Sequence, residues 1–257
     1  MTEFFETHEP VNPENLFCVS GVTGCIDILA HCLANPGDVI LAPTPIYGRI
    51  YTNVMQRARV KLWHIPVITE HNGASSEFLT IEKVKKAYND AVSKDFGLAG
   101  LRIGVIHTQC EALQKCLKQL CFLQCIPFPI MNIAAKFLED IEWCKMYITT
   151  YQERLSESFK HCIERVKEMG LNARESSGGF FLWIDLRPIC GSDSFEKEMD
   201  LFNYLLEDYH VYIVPGKELF CAQPGWFRVT FTTHPEEVDE GFKRLEEGIK
   251  KYKSAKG

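Results

Sequence analysis

An α/β fold with a smaller α+β unit behind it is what this sequence predicts, on three observations. The apolar stretch Leu16-Phe17-Cys18-Val19 runs into Ser20-Gly21-Val22-Thr23-Gly24 and then into a helical pattern with Ile26, Leu29, Ala30 and Leu33 on one face. The stretch Asp38-Val39-Ile40-Leu41-Ala42 reads as a buried strand ending in Pro43-Thr44-Pro45-Ile46-Tyr47, whose prolines stop a ladder. Near the C-terminus, Pro224-Gly225-Trp226-Phe227-Arg228-Val229-Thr230-Phe231 alternates in a strand rhythm, with Phe227, Val229 and Phe231 on one face and Arg228, Thr230 and Thr232 on the other.

Taken in order, the first element is strand, tight turn and helix N-terminus, and the helix stops at Asn35-Pro36-Gly37. Such a terminus is an anion site, because its N–H groups are unpaired and the helix dipole contributes about 0.3–1 kcal/mol. Tyr47, just past the prolines, is placed to face a ligand. After a charged, helix-period stretch from Ile81 to Val92 comes Ser93-Lys94-Asp95-Phe96-Gly97-Leu98-Ala99-Gly100-Leu101-Arg102-Ile103-Gly104, leading into a strand from Leu101 to His107. It sets one lysine at the mouth of a glycine-punctuated turn with an arginine eight residues on. Lysine forms Schiff bases with carbonyl compounds and needs the neutral amine, which burial and a nearby cation favour. Lys94 is the candidate nucleophile and Arg102 the candidate phosphate ligand.

From Trp143 the pattern becomes one amphipathic helix through Tyr147, Leu155, Phe159, Ile163 and Val166, ending at Gly170. A strand from Gly178 to Leu186, a helix from Phe195 to Tyr209 and the strand carrying Arg228 follow. An arginine on the open face of a strand grips a carboxylate, because its planar fork matches the two oxygens. The expected domains are residues 1–145 and 146–257.

Composition is that of an ordinary globular chain: 257 residues, 46% hydrophobic and 24% charged. A net charge of −6 argues against a nucleic-acid or anionic-membrane partner. Eleven scattered cysteines, without a Cys-x-x-Cys pair, fit reduced thiols in the cytoplasm better than a disulfide framework. Cys25 and Cys32 read as small apolar packing within the helix. Met1 to Pro10 is acidic and lacks the apolar core of a secretory signal. The apolar stretch from Leu120 to Ala135 is too interrupted to span a bilayer.

The segment from Ser93 to Gly104 resembles the Schiff-base lysine signature of the class I/II aminotransferases, pyridoxal-phosphate enzymes of fold type I. Within that family, Pro43-Thr44-Pro45-Ile46-Tyr47, Ser93-Lys94-Asp95-Phe96-Gly97-Leu98 and Pro224-Gly225-Trp226-Phe227-Arg228 look most like 1-aminocyclopropane-1-carboxylate synthases and their animal homologues. The resemblance runs from about Asn12 to about Lys250 with one large interruption. It implies pyridoxal 5'-phosphate as cofactor, an amino acid as substrate and a homodimer built partly on the region after the lysine strand. Carried over residue by residue, it makes Lys94 the catalytic lysine. Val22, Thr23, Ser93 and Arg102 become cofactor ligands, Tyr47 the ring that stacks on the pyridine, and Arg228 the ligand of the substrate α-carboxylate.

The interruption shapes the rest of the expectation. Only 47 positions separate Tyr47 from Lys94, where the family places three further strands and their helices. The family's Asn-Pro-x-Asn-Pro run and its Asp-x-x-Tyr strand end are absent from this chain. The aspartate that keeps the pyridine nitrogen protonated, and with it the electron sink for an α-carbanion, is thereby lost. The resemblance therefore implies a truncated large-domain sheet, mixed but mostly parallel, left in two fragments, and a chain impaired in turnover. The alternative function is a catalytically inactive, cofactor-binding or dimerising interaction protein.

Overall fold

The computed structural model describes residues 11–66, 96–174, 176 and 178–256. They form two compact units that divide between Tyr151 and Gln152, a little beyond the 145/146 boundary expected, with Pro43–Ile46 belonging to the second unit. The charged stretch from Ile81, with Ser93 and Lys94, lies outside the described residues.

In chain order the first part contains β1 (Leu16–Ser20), α1 (Gly21–Leu33), β2 (Val39–Thr44), a turn α2 (Arg49–Tyr51) continued by the π-helical Thr52–Arg57, β3 (Lys61–Pro66), β4 (Ile103–His107), α3 (Glu111–Leu120), α4 (Phe128–Glu139) and α5 (Ile141–Glu168). Among the described residues the sheet is in two separate two-stranded pieces, β1 with β4 and β2 with β3. This is the division that a missing middle predicts. β1 buries Phe17 and Val19 on one face, against Cys25 and Ile28 of α1 and Ile106 of β4. It pairs antiparallel with β4, Val19 opposite Gly104 and Ser20 opposite Ile103. Gly104 is needed there, since a Cβ would stand 2.5 Å from the carbonyl carbon of Gly21 and block α1 from settling on the pair. Burial of the Cys25 thiol in the same place pushes its pKa up to about 11, so it packs as the apolar residue expected.

α1 ends where expected, and the Asp38 carboxylate accepts the Asn35 N–H at 2.7 Å, closing the turn through Gly37. The β2–β3 ribbon turns Ile40 and Leu62 inward onto Val54, Ala58 and Val60, and leaves Val39, Leu41 and Trp63 on its outer face, 54%, 64% and 66% exposed. The ladder was expected to stop at the prolines, but β2 runs through Pro43 to Thr44. A proline costs little in a two-stranded ribbon, where an outward N–H would have had no partner. β4 begins at Ile103 instead of Leu101, because Ala99–Leu101 forms a 3₁₀ turn and Arg102 then adopts a left-handed φ of 53°.

The second unit contains β5 (Asn172–Ala173), β6 (Phe181–Asp185), α6 (Arg187–Cys190), α7 (Phe195–Tyr209), β7 (Val214–Pro215), β8 (Trp226–Thr230) and α8 (Pro235–Lys256). Its sheet has the order β5-β6-β8-β7, antiparallel throughout. β6 and β8 are shorter than the expected runs to Leu186 and Phe231. Leu182, Ile184, Leu186, Leu201, Leu205 and Phe227 are fully buried in one core with the C-terminal part of α5 and with α8. α7 starts at the Ser194 cap and stops at His210, φ 55°, over the range the sequence predicts. Glu198, buried on α7, accepts the N–H groups of Lys217 and Gly225 and so fixes the turn that feeds β8.

Candidate functional site

The N-terminus of α1 opens into a cleft of about 420 Å³ lined by Ser20, Thr23, Asp27, Tyr47, Arg49, Asn53, Arg57 and Arg102, with Gly24 and Gln124 closing one wall. The sequence builds it from several elements of the first unit. Ser20, Thr23 and Asp27 lie at helical spacing along one side of α1, opposite the apolar face that packs on β1 and β4. Ser20 occupies the helix N-cap, yet its hydroxyl makes no capping bond. The turn after β2 delivers Tyr47, half exposed, and the π-helical segment delivers Asn53 and Arg57.

Arg102 reaches the same place from the residue before β4. Its guanidinium lies against Gly21, where a Cβ would stand 2.4 Å from Nη2, and Nη1 donates to the Ala99 carbonyl at 3.4 Å. Gly21 has φ +71° and Arg102 φ 53°, so both residues that make this approach sit in the left-handed region. For a non-glycine residue that costs about 1–2 kcal/mol, and such strain gathers at ligand sites. A cation beside the positive end of a helix is also repelled, by about 0.3–1 kcal/mol, unless an anion lies between them. Three arginines face one aspartate among the lining residues, and Asp27 is already engaged by Arg57, whose Nε stands 2.9 Å from Oδ1. The cleft therefore calls for an anion.

Second neighbours hold these groups in place. The Asn53 amide donates to the Thr23 carbonyl at 3.0 Å, tying the π-helical segment to α1, and the His31 ring contacts the Asp27 carbonyl at 2.7 Å. Gly24 admits Gln124, whose Oε1 would lie 3.4 Å from a Cβ at that position.

Of the residues singled out from sequence, Thr23, Tyr47 and Arg102 thus converge on one cleft, with Val22 in the first turn of α1 beside them. Ser93 and Lys94 lie outside the described residues. Arg228 belongs to the second unit, in register with Trp183 across β6 and β8, and its guanidinium lies over the Phe181 ring at 4.1 Å. Sequence reading missed Asp27, Arg49, Asn53, Arg57 and Gln124. The spacing of Ser20, Thr23 and Asp27 was the available signal for Asp27; the others reach the cleft only through the fold.

Among the described residues no group of histidine, cysteine and carboxylate side chains could hold a metal. Nor, among them, is any single helix long and apolar enough to cross a membrane. The apolar stretch after Leu120 is a 3₁₀ turn, Cys121–Gln124, followed by α4, and the path bends by 114° between Glu111–Gln124 and Phe128–Glu139.

The sequence matches the family described as aminotransferase class I and II in two parts, over residues 1–92 and 73–245, which overlap at 73–92. It is 23% identical to a 1-aminocyclopropane-1-carboxylate synthase of Nicotiana tabacum over 325 aligned positions, covering 93% of this chain and 65% of that one. It is 22% identical to 1-aminocyclopropane-1-carboxylate synthase-like protein 1 of Takifugu rubripes, covering 98% and 54%. Both alignments are longer than the chain, so these relatives carry residues that have no counterpart here. The chain spans between about half and two thirds of their length. In structure it is similar to the aromatic aminotransferase of Pyrococcus horikoshii, with a TM-score of 0.79 at 17% identity over 98% of this chain and 83% of that one. The aspartate aminotransferase of Thermotoga maritima gives 0.73 at 19% identity over 97% and 79%. These likenesses establish the fold as that of the fold-type I enzymes, and with the match along most of its length this chain belongs to the aminotransferase class I and II family, whose cofactor is pyridoxal phosphate.

Proposed function

We propose that this chain binds pyridoxal phosphate in the α1 cleft and acts on amino acids through Lys94, with turnover impaired by the missing internal stretch. The observation that carries the reading is the convergence of Ser20, Thr23, Tyr47 and Arg102 on one electropositive cleft at a helix N-terminus. The residues present fit the phosphate end of the group: unused donors at the start of α1, a hydroxyl not spent on capping, and an arginine held against Gly21. Tyr47 supplies a ring face at the rim. When bound, the group supplies an electron sink for charge developing at the α-carbon of an amino acid. Lys94 holds the amine that meets the aldehyde and then takes the α-proton as general base. Arg228 holds the substrate carboxylate.

Impairment rests on two separate losses. The aspartate that the family keeps against the ring nitrogen is read as lost with the missing stretch, and Asp27, the one carboxylate among the described lining residues, is already paired with Arg57. The sheet that would aim Lys94 is in two pieces among the described residues. Positioning accounts for about 7–11 kcal/mol of a barrier in favourable cases, so lost alignment alone is severe. Cytoplasmic location and a homodimer belong to the same reading. The exposed Phe122, Leu123 and Phe128, 81%, 76% and 82% accessible, provide an apolar surface for a second copy.

Titrating purified protein with pyridoxal phosphate, followed by absorbance, tests binding. Incubating the loaded protein with S-adenosylmethionine, alanine, aspartate and glutamate, and measuring keto acid and cyclopropane product, tests turnover. The expected result is saturable binding with product formation no faster than free pyridoxal phosphate gives. Absence of binding would favour an interaction protein that works without cofactor, and robust turnover would overturn the impairment.

A further inference from the structure

α5 carries Trp143, Tyr147 and Tyr151 at a spacing of four, so their rings form one stripe along the helix. The rings stack, with centroids 5.0 Å apart and planes at 24° for the first pair, 5.9 Å and 19° for the second. Phe96, from the turn ahead of β4, enters this stack. Its ring lies 5.9 Å from Tyr147 at 25° and 5.6 Å from Phe137 of α4, and the residue is 2% exposed. Ring packing accounts for that much. It does not account for the Tyr147 hydroxyl, which donates to the Phe96 backbone carbonyl at 2.7 Å. The next residue, Gly97 at φ +64°, abuts Tyr151: a Cβ there would stand 2.7 Å from Oη and 3.0 Å from Cζ.

We propose that Tyr147 is a positioning residue for the anion site: with Tyr151 behind Gly97, it clamps the start of the turn that delivers Arg102 to Gly21. The inference rests on the reading of the α1 cleft as the cofactor site. From the clamp to Arg102 the chain is short and bonded to itself. The Leu101 N–H donates to the Leu98 carbonyl at 3.1 Å and the Arg102 N–H to the Ala99 carbonyl at 3.4 Å, while Leu98 and Leu101 pack on the core that holds Phe96. A shift at Phe96 is therefore passed along to Arg102 instead of being absorbed on the way.

Arg102 needs such support. A non-glycine residue keeps a left-handed φ, here 53°, only where its surroundings over-determine it. On one side the pairing of Ile103 with Ser20 fixes the chain, and on the other the clamp does. In the sequence Lys94 stands two residues before Phe96 and Arg102 six after it, so the clamp falls between the residues that the reading assigns to the aldehyde and to the phosphate. Tyr147→Phe separates positioning from packing, because it keeps the ring in the stack and removes only the donor.

Full-length wild type and Tyr147→Phe would be titrated with inorganic phosphate, followed by amide NMR, and their amide hydrogen exchange mapped without ligand. In the variant, exchange over residues 96–102 is expected to be roughly 5- to 30-fold faster and phosphate binding weaker by a similar factor, the size of effect that one lost buried hydrogen bond gives. Exchange in the second unit should not change. Tyr204→Phe, which removes a hydroxyl bonded to Tyr209 there, should alter neither quantity over residues 96–102 or at the cleft. Equal exchange and equal affinity would reduce Tyr147 to packing. Faster exchange with unchanged phosphate affinity would show that the clamp does not reach Arg102, and wild type that binds no phosphate would overturn the anion site and this role together. Borohydride trapping with pyridoxal phosphate is read alongside: if phosphate behaves as expected but wild type takes no label at Lys94, the cofactor reading fails and the clamp on Arg102 stands.

Discussion

The guanidinium of Arg102 rests on Gly21 so closely that a methyl group there would stand 2.4 Å from Nη2 and 2.9 Å from Cζ. Both residues at this contact have left-handed backbone, Gly21 at φ +71° and Arg102 at 53°. Gly21→Ala should therefore disturb the anion site without touching a donor. The added Cβ is strained by about 1–2 kcal/mol and pushes Arg102 away from the helix end. Losing that charge-assisted contact, worth about 1.5–3 kcal/mol, corresponds to roughly 10- to 150-fold weaker binding of pyridoxal phosphate. Calorimetric titration of the variant checks this; affinity equal to wild type would mean that Arg102 does not face the phosphate.

Arg228→Ala should have the complementary effect. Removing the fork leaves pyridoxal-phosphate binding nearly intact and weakens amino-acid binding by roughly 10- to 150-fold, the equivalent of about 1.5–3 kcal/mol. Arg228 also lies over Phe181, so loss of the thermal transition together with the cofactor would assign it a structural role instead.

Lys94 should be the one lysine that retains label when protein and pyridoxal phosphate are treated with borohydride. Peptide mapping reads the outcome directly. Label spread over Lys85, Lys86 and other lysines without preference would show that no defined Schiff-base site forms.

A fourth expectation concerns the second unit alone. Burial raises the Glu198 carboxyl above its ordinary 4.5, and this outweighs the two backbone N–H groups that lower it. A carboxyl with a raised folded-state pKa contributes stability that is complete below 4.5 and is lost as pH rises through the folded value. The melting midpoint of wild type minus that of Glu198→Gln should accordingly fall as pH increases from about 4.5 toward neutrality. Midpoints measured at several pH values in that window would settle it, and a difference that rises with pH would show the carboxylate to be net favourable where it sits.

Local chemistry explains which parts of this molecule were legible in its sequence. α7 follows from the Ser194 cap and an apolar stripe, and α5 from its long periodicity ending at Gly170. The α1 cleft was half legible: Thr23, Tyr47 and Arg102 sit in motifs with their own local signature. Arg49, Asn53 and Arg57 do not, because the turn α2 and the π-helical segment that carry them have no cap or breaker to announce them, and the π-helical segment is placed by packing Val54 and Ala58 on Ala30. β2 ran past its proline for a similar reason. Whether Pro43 breaks a ladder depends on how many strands flank it, which is not a property of Pro43.

The outer face of the β2–β3 ribbon has a consequence for the life of this protein in a cell. Val39, Leu41 and Trp63 form a short extended strip of apolar side chains held open to water. Molecular chaperones retain polypeptides by such strips, and proteases that survey nascent chains act on what chaperones fail to release. An exposed apolar strip of this kind is an interaction site or an aggregation liability, so what covers it bears directly on how well the chain stays in solution.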